Sequence, residues 1–238
     1  MTQVFTSLGL MTGTSADGLD ISLIKSDGES FYDEIKDSYF DYDDKIRNNY
    51  NLLREKVFNK KDLTRYKKEI EKLEREITLF HADCIKKFSE ENTNHKIDLI
   101  GFHGQTIYHN AHEKITRQLG NGDLLSQLLK KTVINNFREM DLMANGQGAP
   151  LAPIFHDILI KKLKIGGTVV ILNIGGISNI TVIDKKKNNL FSTDLGPGNC
   201  LIDSWIRKKS KYKFDKDGII AHQGQINKII YEQAIDQW

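Results

Sequence analysis

One local pattern occurs twice in this chain and constrains its fold most: an apolar strand, a glycine-bearing turn and a second apolar strand. The first copy covers residues 4–25, with its turn over Met11–Gly18, and the second covers residues 168–183, with its turn over Gly175–Ser178. Apolar runs on both sides of a short polar turn are typical of β-hairpins. The sequence therefore predicts two hairpins of similar design, each opening a structural unit.

Helical patterns follow both hairpins, and this alternation of strands and helices predicts an α/β protein. The clearest helix is amphipathic, because apolar residues recur at spacings of three and four from Leu63 to Phe88. We place a domain boundary before a helix over Leu151–Lys162, which gives domains of residues 1–150 and 151–238. The second domain has few strands and ends in an uncapped helix, so we expect an incomplete sheet and a truncated chain.

Three polar loops are expected at the ends of strands, where α/β proteins build their sites. The first is His103–Thr106, which follows a strand over Ile97–Phe102. The second is Phe137–Pro150, which shows no periodicity. The third is Thr193–Gly198, which follows a short strand over Leu190–Ser192 and leads into a helix.

Composition excludes several classes of function. The chain has 34 Lys+Arg against 32 Asp+Glu, a formal net charge of +2, and this near balance gives no electrostatic case for nucleic-acid binding, where a basic face would be expected. Its two cysteines form no CxxC pair, which argues against a disulfide framework or structural zinc and favours a reducing compartment. No segment approaches the ~20 apolar residues of a membrane span, and the first residues do not read as a signal peptide. We expect a cytoplasmic protein with no membrane partner.

The first glycine turn has the groups that phosphate binding needs. Its glycines let the backbone approach an anion, and Thr14 and Ser15 add hydroxyl donors. Asp17 could hold Mg²⁺ directly or through water. The same residue types are also ordinary turn chemistry, so the turn alone leaves both interpretations open. The second turn, with Gly175 and Gly176, favours phosphate binding, because two such hairpins can clamp a polyphosphate between two domains.

The polar loops add candidate catalytic and binding groups. Asp194 could take a proton from water or a hydroxyl, or could instead bind backbone N–H groups in its own loop. Arg138 could contact a carboxylate or phosphate, or pair with Asp141. His103 could act as a base, although a hydrogen-bonding role in the loop is also open. The chain has no GxGxxG, GxxxxGK[ST], GxSxG or HExxH motif, which argues against Rossmann, Walker-type, hydrolase and zinc-protease sites.

Seven blocks of the sequence, in order, resemble the motifs of the anhydro-N-acetylmuramic acid kinases. They are GLMTGTSADGLDISL, GFHGQTIYH, QLGNGDLL, NFREMDLMANGQGAPLAPIFH, LNIGGISNIT, STDLGPGNCLIDSWI and KFDKDGIIAHQGQIN. The resemblance covers nearly the whole chain. It implies the two-domain fold of the sugar kinase/actin/heat-shock chaperone superfamily, with a cleft between the domains and, here, an incomplete second domain. In the family, further phosphate, adenosine and substrate motifs follow the point that corresponds to residue 238.

The resemblance also implies an activity. ATP, water and 1,6-anhydro-N-acetylmuramic acid would give N-acetylmuramic acid 6-phosphate and ADP in cell-wall recycling, with Mg²⁺ as the metal and a homodimer as the assembly. The motifs carry three sets of residues over to this chain, and Asp194 becomes the base that activates water. The ATP-phosphate set is Gly13, Thr14, Ser15, Ala16, Asp17, Gly18, Leu19, Asp20, Gly175 and Gly176. The sugar-side set is Gln105, Gln118, Asn121, Arg138, Gly148 and Pro150.

Two other functions remain open at this point. A non-catalytic amino-sugar-binding protein would keep the sugar-side loops and bind sugar without ATP, although it would have no need of a base at Asp194. A different sugar kinase of the same superfamily would prefer another amino sugar. Competition between amino sugars would separate it from the first interpretation.

Overall fold

The computed structural model describes residues 2–13, 15–187 and 189–236, and its mixed α/β architecture confirms the expected class. The strands are β1 (Phe5–Met11), β2 (Gly18–Ser26), β3 (Tyr32–Asp41), β4 (Leu99–Phe102), β5 (Gln105–Asn110), β6 (Ile115–Leu119), β7 (Thr132–Ile134), β8 (Thr168–Ile174), β9 (Ile177–Asp184) and β10 (Asn189–Pro197). The helices are α1 (Asp44–Arg54), α2 (Lys60–Arg65), α3 (Lys67–Glu91), α4 (Gly122–Leu129), α5 (Phe137–Met143), α6 (Pro153–Lys162), α7 (Cys200–Lys209), α8 (Ile219–Gln223) and α9 (Lys228–Asp236), with a 3₁₀ turn at Lys216–Gly218.

Packing divides the chain into two units. The first consists of Met1–Leu172 with Ile180–Thr193, and the second of Asn173–Asn179 with Asp194–Trp238. The predicted boundary at residue 150 stays a prediction.

The main sheet of the first unit has the strand order β3–β2–β1–β4–β7. Strands β1 and β2 pair antiparallel from Phe5↔Ser26 to Met11↔Asp20, which confirms the first predicted hairpin. Strands β4 and β7 run parallel to β1, so the ends of β1 and β4 lie side by side where Leu10 meets Phe102. The first glycine turn and the loop after β4 therefore emerge at one edge of the sheet.

Helix α3 connects two apolar cores, and its two halves serve different partners. Its C-terminal half buries residues such as Ile85 and Phe88 against the main sheet. Its N-terminal half packs Ile70 and Ile77 against α1 and the β5–β6 hairpin. The alternating three- and four-residue spacing of its apolar residues places them all on one face of the helix, which explains why this element was predictable.

The predicted helix from Leu63 to Phe88 is two helices, because the chain leaves helical geometry at Tyr66 (φ −104°, ψ 25°). The expected loop over Phe137–Pro150 is wrong in its first half, where α5 forms and buries Leu142. The expected loop His103–Thr106 is shorter than predicted, since Gln105 already belongs to β5.

The expected short strand over Leu190–Ser192 is also wrong in length. Strand β10 continues to Pro197, so Asp194 lies in a strand and not in the predicted loop. In the sheet ordered β10–β9–β8, the middle strand β9 confirms the second predicted hairpin together with β8. Several apolar side chains of the second unit are exposed, including Leu201, Ile202 and Trp205 on α7, with exposures of 54–62%.

Candidate functional site

The first glycine turn joins β1 to β2 and is anchored by a buried alanine. Ala16 has a left-handed φ of +51° and is fully buried, and its N–H donates to the Gly13 carbonyl over 3.2 Å. Ser15 and Asp17, on either side of Ala16, are exposed. Thr14 lies outside the described residues, so its predicted role stays a prediction. The turn thus directs a methyl group inward and a hydroxyl and a carboxylate outward.

Asp17 is held in place through both its side chain and its backbone. Its Oδ1 accepts hydrogen bonds from the Ser15 hydroxyl at 2.8 Å and the Gly18 N–H at 3.1 Å. Its carbonyl accepts from the Tyr42 N–H at 2.9 Å and from Arg47 Nη2 at 3.1 Å. A carboxylate with a fixed backbone and a fixed rotamer is preorganised for a ligand. Neither Tyr42 nor Arg47 lies in a recognisable motif, and sequence reasoning missed both.

Negative charge accumulates beside the turn. Partial burial, with the charges of Asp17 and Asp37, raises the pKa of Asp20 above its ordinary value. Burial and nearby carboxylates, of which Asp17 contributes most, raise the pKa of Tyr39 to about 12. Within the described residues no cluster of three or more His, Cys, Asp or Glu side chains could hold a metal by itself. Asp17 has the oxygen donors that Mg²⁺ prefers, and Mg²⁺ is commonly bound by one or two carboxylates together with phosphate oxygens.

Two glycines of the turn serve different purposes. A Cβ on Gly18 would lie 2.3 Å from the Phe40 carbonyl oxygen and 2.6 Å from the Tyr39 hydroxyl, so packing against β3 requires glycine. Among the described residues that are not its chain neighbours, a Cβ on Gly13 would meet only the Ser15 hydroxyl, at the ordinary contact distance of 3.4 Å. By this measure the surroundings of Gly13 are less crowded than those of Gly18, where the protein fills the space.

Gln105, expected on the sugar side, lies beneath the glycine turn. Its side chain is fully buried, and its Nε2 donates to the Gly13 carbonyl at 2.8 Å. A second hydrogen bond joins the same two segments in the opposite direction. Thr12, which is 3% exposed, donates from Oγ1 to the Gly104 carbonyl at 2.9 Å. The loop after β4 and the glycine turn are thus joined by two buried hydrogen bonds.

Arg138 and His103 form a hydrogen-bonded pair at the same edge of the sheet. Arg138 Nε donates to His103 Nε2 at 2.8 Å, so His103 carries its proton on Nδ1, which faces the Gly104 carbonyl at 2.6 Å. Burial, followed by the charge of Arg138, lowers the pKa of His103 to about 4. With both ring nitrogens engaged, His103 has the hydrogen-bonding role, and its Nε2 lone pair is already used by Arg138.

The loop after α5 is organised by Arg138 and Asp141 from two directions. Arg138 Nη1 donates to the Gly148 carbonyl at 3.0 Å, and the Gly148 N–H donates to Asp141 Oδ2 at 2.7 Å. Gly148 has a φ of +68°, and the Ala149–Pro150 peptide bond is cis. Arg138 and Asp141, both on α5, therefore hold the loop through the two backbone groups of Gly148.

The β5–β6 hairpin presents a row of polar side chains. Gln118 Nε2 donates to the hydroxyls of Thr106 at 3.2 Å and Thr116 at 2.8 Å, and His109 Nδ1 lies 3.1 Å from the Thr116 hydroxyl. Hydroxyls and amides side by side are groups that can recognise a sugar. The side chain of Asn121 caps α4, since its Oδ1 accepts from the Leu124 N–H at 2.8 Å, and its sugar-side role stays a prediction.

The second glycine turn, described within the second unit, is closed by the start of α7. The N–H groups of Gly198 and Asn199 donate to the carbonyls of Gly176 at 2.9 Å and Gly175 at 2.8 Å. A Cβ on Gly198 would lie 2.3 Å from the Gly175 carbonyl oxygen, so this contact requires glycine. The N–H of Gly198 is directed to the turn. Asp194 is exposed on β10 in the same unit.

The described helices include none that is both long enough and apolar enough to cross a membrane. Comparison with known proteins gives a consistent family. The sequence profile described as anhydro-N-acetylmuramic acid kinase matches residues 5–237.

Curated relatives carry the same name. A protein named anhydro-N-acetylmuramic acid kinase from Pelagibacter ubique is 52% identical over 100% of this chain and 64% of its own length. Proteins of that name from Rhodopseudomonas palustris and Brucella canis are each 38% identical over 93% of this chain, and over 61% and 60% of their own lengths. The chain thus spans a little under two thirds of the relatives that it matches. On this similarity, the chain belongs to the anhydro-N-acetylmuramic acid kinase family.

Proposed function

We propose that this chain contributes the phosphate turn, the sugar-side loops and the catalytic base of an ATP-dependent kinase. The reaction is conversion of 1,6-anhydro-N-acetylmuramic acid and water to N-acetylmuramic acid 6-phosphate, a step of cell-wall recycling. The observation that carries the proposal is the first glycine turn, where an uncrowded Gly13 and an exposed Ser15 lie beside the fixed Asp17 carboxylate. The names of the relatives support the same reaction.

At the phosphate end, the turn from Gly13 to Asp20 would receive the ATP phosphates through backbone N–H groups and the Ser15 hydroxyl. Asp17 and Asp20 would hold Mg²⁺ together with the phosphates. Bound there, Mg²⁺ neutralises phosphate charge and supports the developing charge of phosphoryl transfer. Gly175 and Gly176 would form a second phosphate turn.

On the sugar side, Arg138 is the strongest candidate, because its guanidinium is oriented by His103 and Gly148 and suits the lactyl carboxylate of a muramic acid. Gln118 would bind sugar hydroxyls from the β5–β6 hairpin. Gly148, Pro150 and Asn121 would line the same side through the loop and the start of α4.

The chemistry needs one base. The Asp194 carboxylate would take a proton from water as the water oxygen attacks the anomeric carbon. The bond from that carbon to the bridging 6-oxygen then breaks, and the released 6-oxygen attacks the γ-phosphorus, expelling ADP. The proton leaves Asp194 to solvent, so the base is regenerated. General-base catalysis of this kind is typically worth about 10²–10⁴ in rate.

Asp194→Asn tests the base, because it keeps the shape of the side chain and removes its basicity. We expect turnover of 1,6-anhydro-N-acetylmuramic acid with Mg·ATP, followed by mass spectrometry, to fall at least about 10²-fold. Asp217→Asn is a matched control in the same unit, since Asp217 is exposed and has a φ of +57°, which asparagine tolerates. Rates within about 3-fold of each other for the two variants would refute the assignment of the base.

The alternative, amino-sugar binding without catalysis, predicts a different result. Sugar would bind in the absence of ATP, and no phosphorylated product would form in the wild type. A homodimer and a cytoplasmic location are further parts of the proposal, drawn from the family resemblance and from the two isolated cysteines.

A further inference from the structure

The side chains that join the first glycine turn to the loop after β4 are buried and come from distant parts of the sequence. Thr12 and Gly104 are 92 residues apart, as are Gly13 and Gln105. Both donor side chains are at least 97% buried, so neither is positioned to touch a ligand directly. Their shared effect is to fix the backbone of the turn from below.

The loop side of this connection is itself rigid. Gly104 has a φ of +73°, and a Cβ there would lie 2.7 Å from the Leu119 carbonyl oxygen. The Gly104 carbonyl accepts hydrogen bonds from the Thr12 hydroxyl and from His103 Nδ1. His103 in turn accepts a hydrogen bond from Arg138 at its other ring nitrogen. An unbroken series of hydrogen bonds therefore runs from Arg138, a sugar-side residue, to the glycine turn.

The contact at Gly13 has a consequence for charge. The Gly13 carbonyl accepts from Gln105 Nε2 and the Ala16 N–H, so its oxygen is directed into the protein. A carbonyl oxygen directed outward at this position would repel a phosphate, because the oxygen is partially negative and the phosphate is an anion. The Gln105 amide thus keeps the open side of the turn available to an anion.

Given the function proposed above, we infer that Gln105 is a positioning residue for the phosphate turn and not a sugar ligand. Together with Thr12 it makes the sugar-side loop and the phosphate turn one rigid body. A substitution at Gln105 therefore affects the Mg·ATP site more than the sugar site, whereas a substitution on the polar face of the β5–β6 hairpin affects the sugar site more than the Mg·ATP site.

Gln105→Glu is the decisive change, because it preserves shape and replaces the donor by a carboxylate that repels the Gly13 carbonyl. Hydrogen exchange of the Ala16 amide in ligand-free protein should accelerate about 10-fold relative to wild type, the change expected for loss of one buried hydrogen bond. A buried carboxyl titrates above its usual range, and its protonated form can donate to Gly13. The difference from wild type should therefore be smaller at pH 5 than at pH 8.

Gln118→Glu is the matched control, since it makes the same chemical change on the sugar face. Calorimetry with Mg·ATP and with 1,6-anhydro-N-acetylmuramic acid should show weaker nucleotide binding for Gln105→Glu and weaker sugar binding for Gln118→Glu. Loss of sugar affinity in Gln105→Glu with Mg·ATP affinity retained would overturn the inference, as would unchanged exchange at Ala16.

Two further outcomes keep the tests separate. If the wild type does not bind Mg·ATP, the proposed function fails, and the exchange of Ala16 still decides whether Gln105 holds the turn. If Gln105→Glu does not fold, Thr12→Val removes the neighbouring donor without adding charge. That variant should also accelerate exchange at Ala16, and a wild-type exchange rate would contradict the inference.

Discussion

Replacing Gly18 by alanine should destabilise the protein by an amount that the structure allows to be calculated. The new Cβ would lie 2.3 Å from the Phe40 carbonyl oxygen, about 1 Å closer than an ordinary van der Waals contact. The obstacle is backbone in the β2–β3 pair, where Gly18 faces Asp41 and Leu19 faces Phe40, so no side-chain rotation relieves it. Overpacking of this kind costs about 1–3 kcal/mol, and the lower entropy of the unfolded alanine chain offsets about 0.4–1 kcal/mol. The expected net loss, taken from the middle of both ranges, is about 1.3 kcal/mol.

Thermal unfolding followed by circular dichroism measures this loss. For a chain of this size, about 1.3 kcal/mol corresponds to a fall in Tm of roughly 3–5 °C. Gly9→Ala is the matched control, because within the part of the chain that the structure describes its Cβ would meet only the Ser22 carbonyl oxygen, at 3.8 Å. Equal Tm values for the two variants would refute the reasoning that contact with β3, and not turn flexibility, requires glycine at position 18.

Two more predictions concern buried histidines. Burial lowers the pKa of His81 to about 3, so the unfolded chain binds more protons than the folded one below pH 6.5. The free energy of unfolding should therefore fall from pH 6.5 towards pH 3 by at most about 1.4 kcal/mol per pH unit. In urea titrations His81→Leu should show a shallower decline with pH, and a decline as steep as that of the wild type would count against the role of His81. Burial, followed by the charge of Arg138, lowers the pKa of His103, so Arg138→Met should move that pKa part of the way upward from about 4 in an NMR titration. An unchanged value would show that Arg138 does not contribute to the shift.

The elements that could be predicted from sequence are those whose signal is local. The β1–β2 hairpin and helix α3 each show a regular spacing of apolar residues, which places those residues on one face of the element. The break at Tyr66 was not predictable, because the apolar spacing continues across it while the backbone does not.

The elements that sequence reasoning missed lack such a period. Strand β5 begins with the polar Gln105 and Thr106, and its turn uses Lys114 at a φ of +52° in place of an Asn-Gly pair, so no hairpin signal was visible. Helix α5 buries only Leu142 among its residues, which is too little for a periodic pattern.

The candidate site was predictable in its residue types but not in its connections. Glycines, hydroxyls and carboxylates at a strand end are compatible with phosphate binding and with ordinary turn chemistry, and the turn alone leaves both open. The partners of those groups are distant in sequence: Gln105 reaches Gly13 across 92 residues and Arg138 reaches His103 across 35. Only the folded chain shows that Gln105 lies under the turn and that His103 is held in one tautomer by Arg138.

The central proposal is that the kinase to which this chain contributes phosphorylates an anhydro sugar with ring opening by water. The most direct measurement is mass spectrometry of products formed from 1,6-anhydro-N-acetylmuramic acid and Mg·ATP in water enriched in ¹⁸O. We predict N-acetylmuramic acid phosphate that appears together with ADP, carries the label on its anomeric oxygen and has none in its phosphate. Absence of a phosphorylated sugar, or ADP formed only with labelled inorganic phosphate, would contradict the claim.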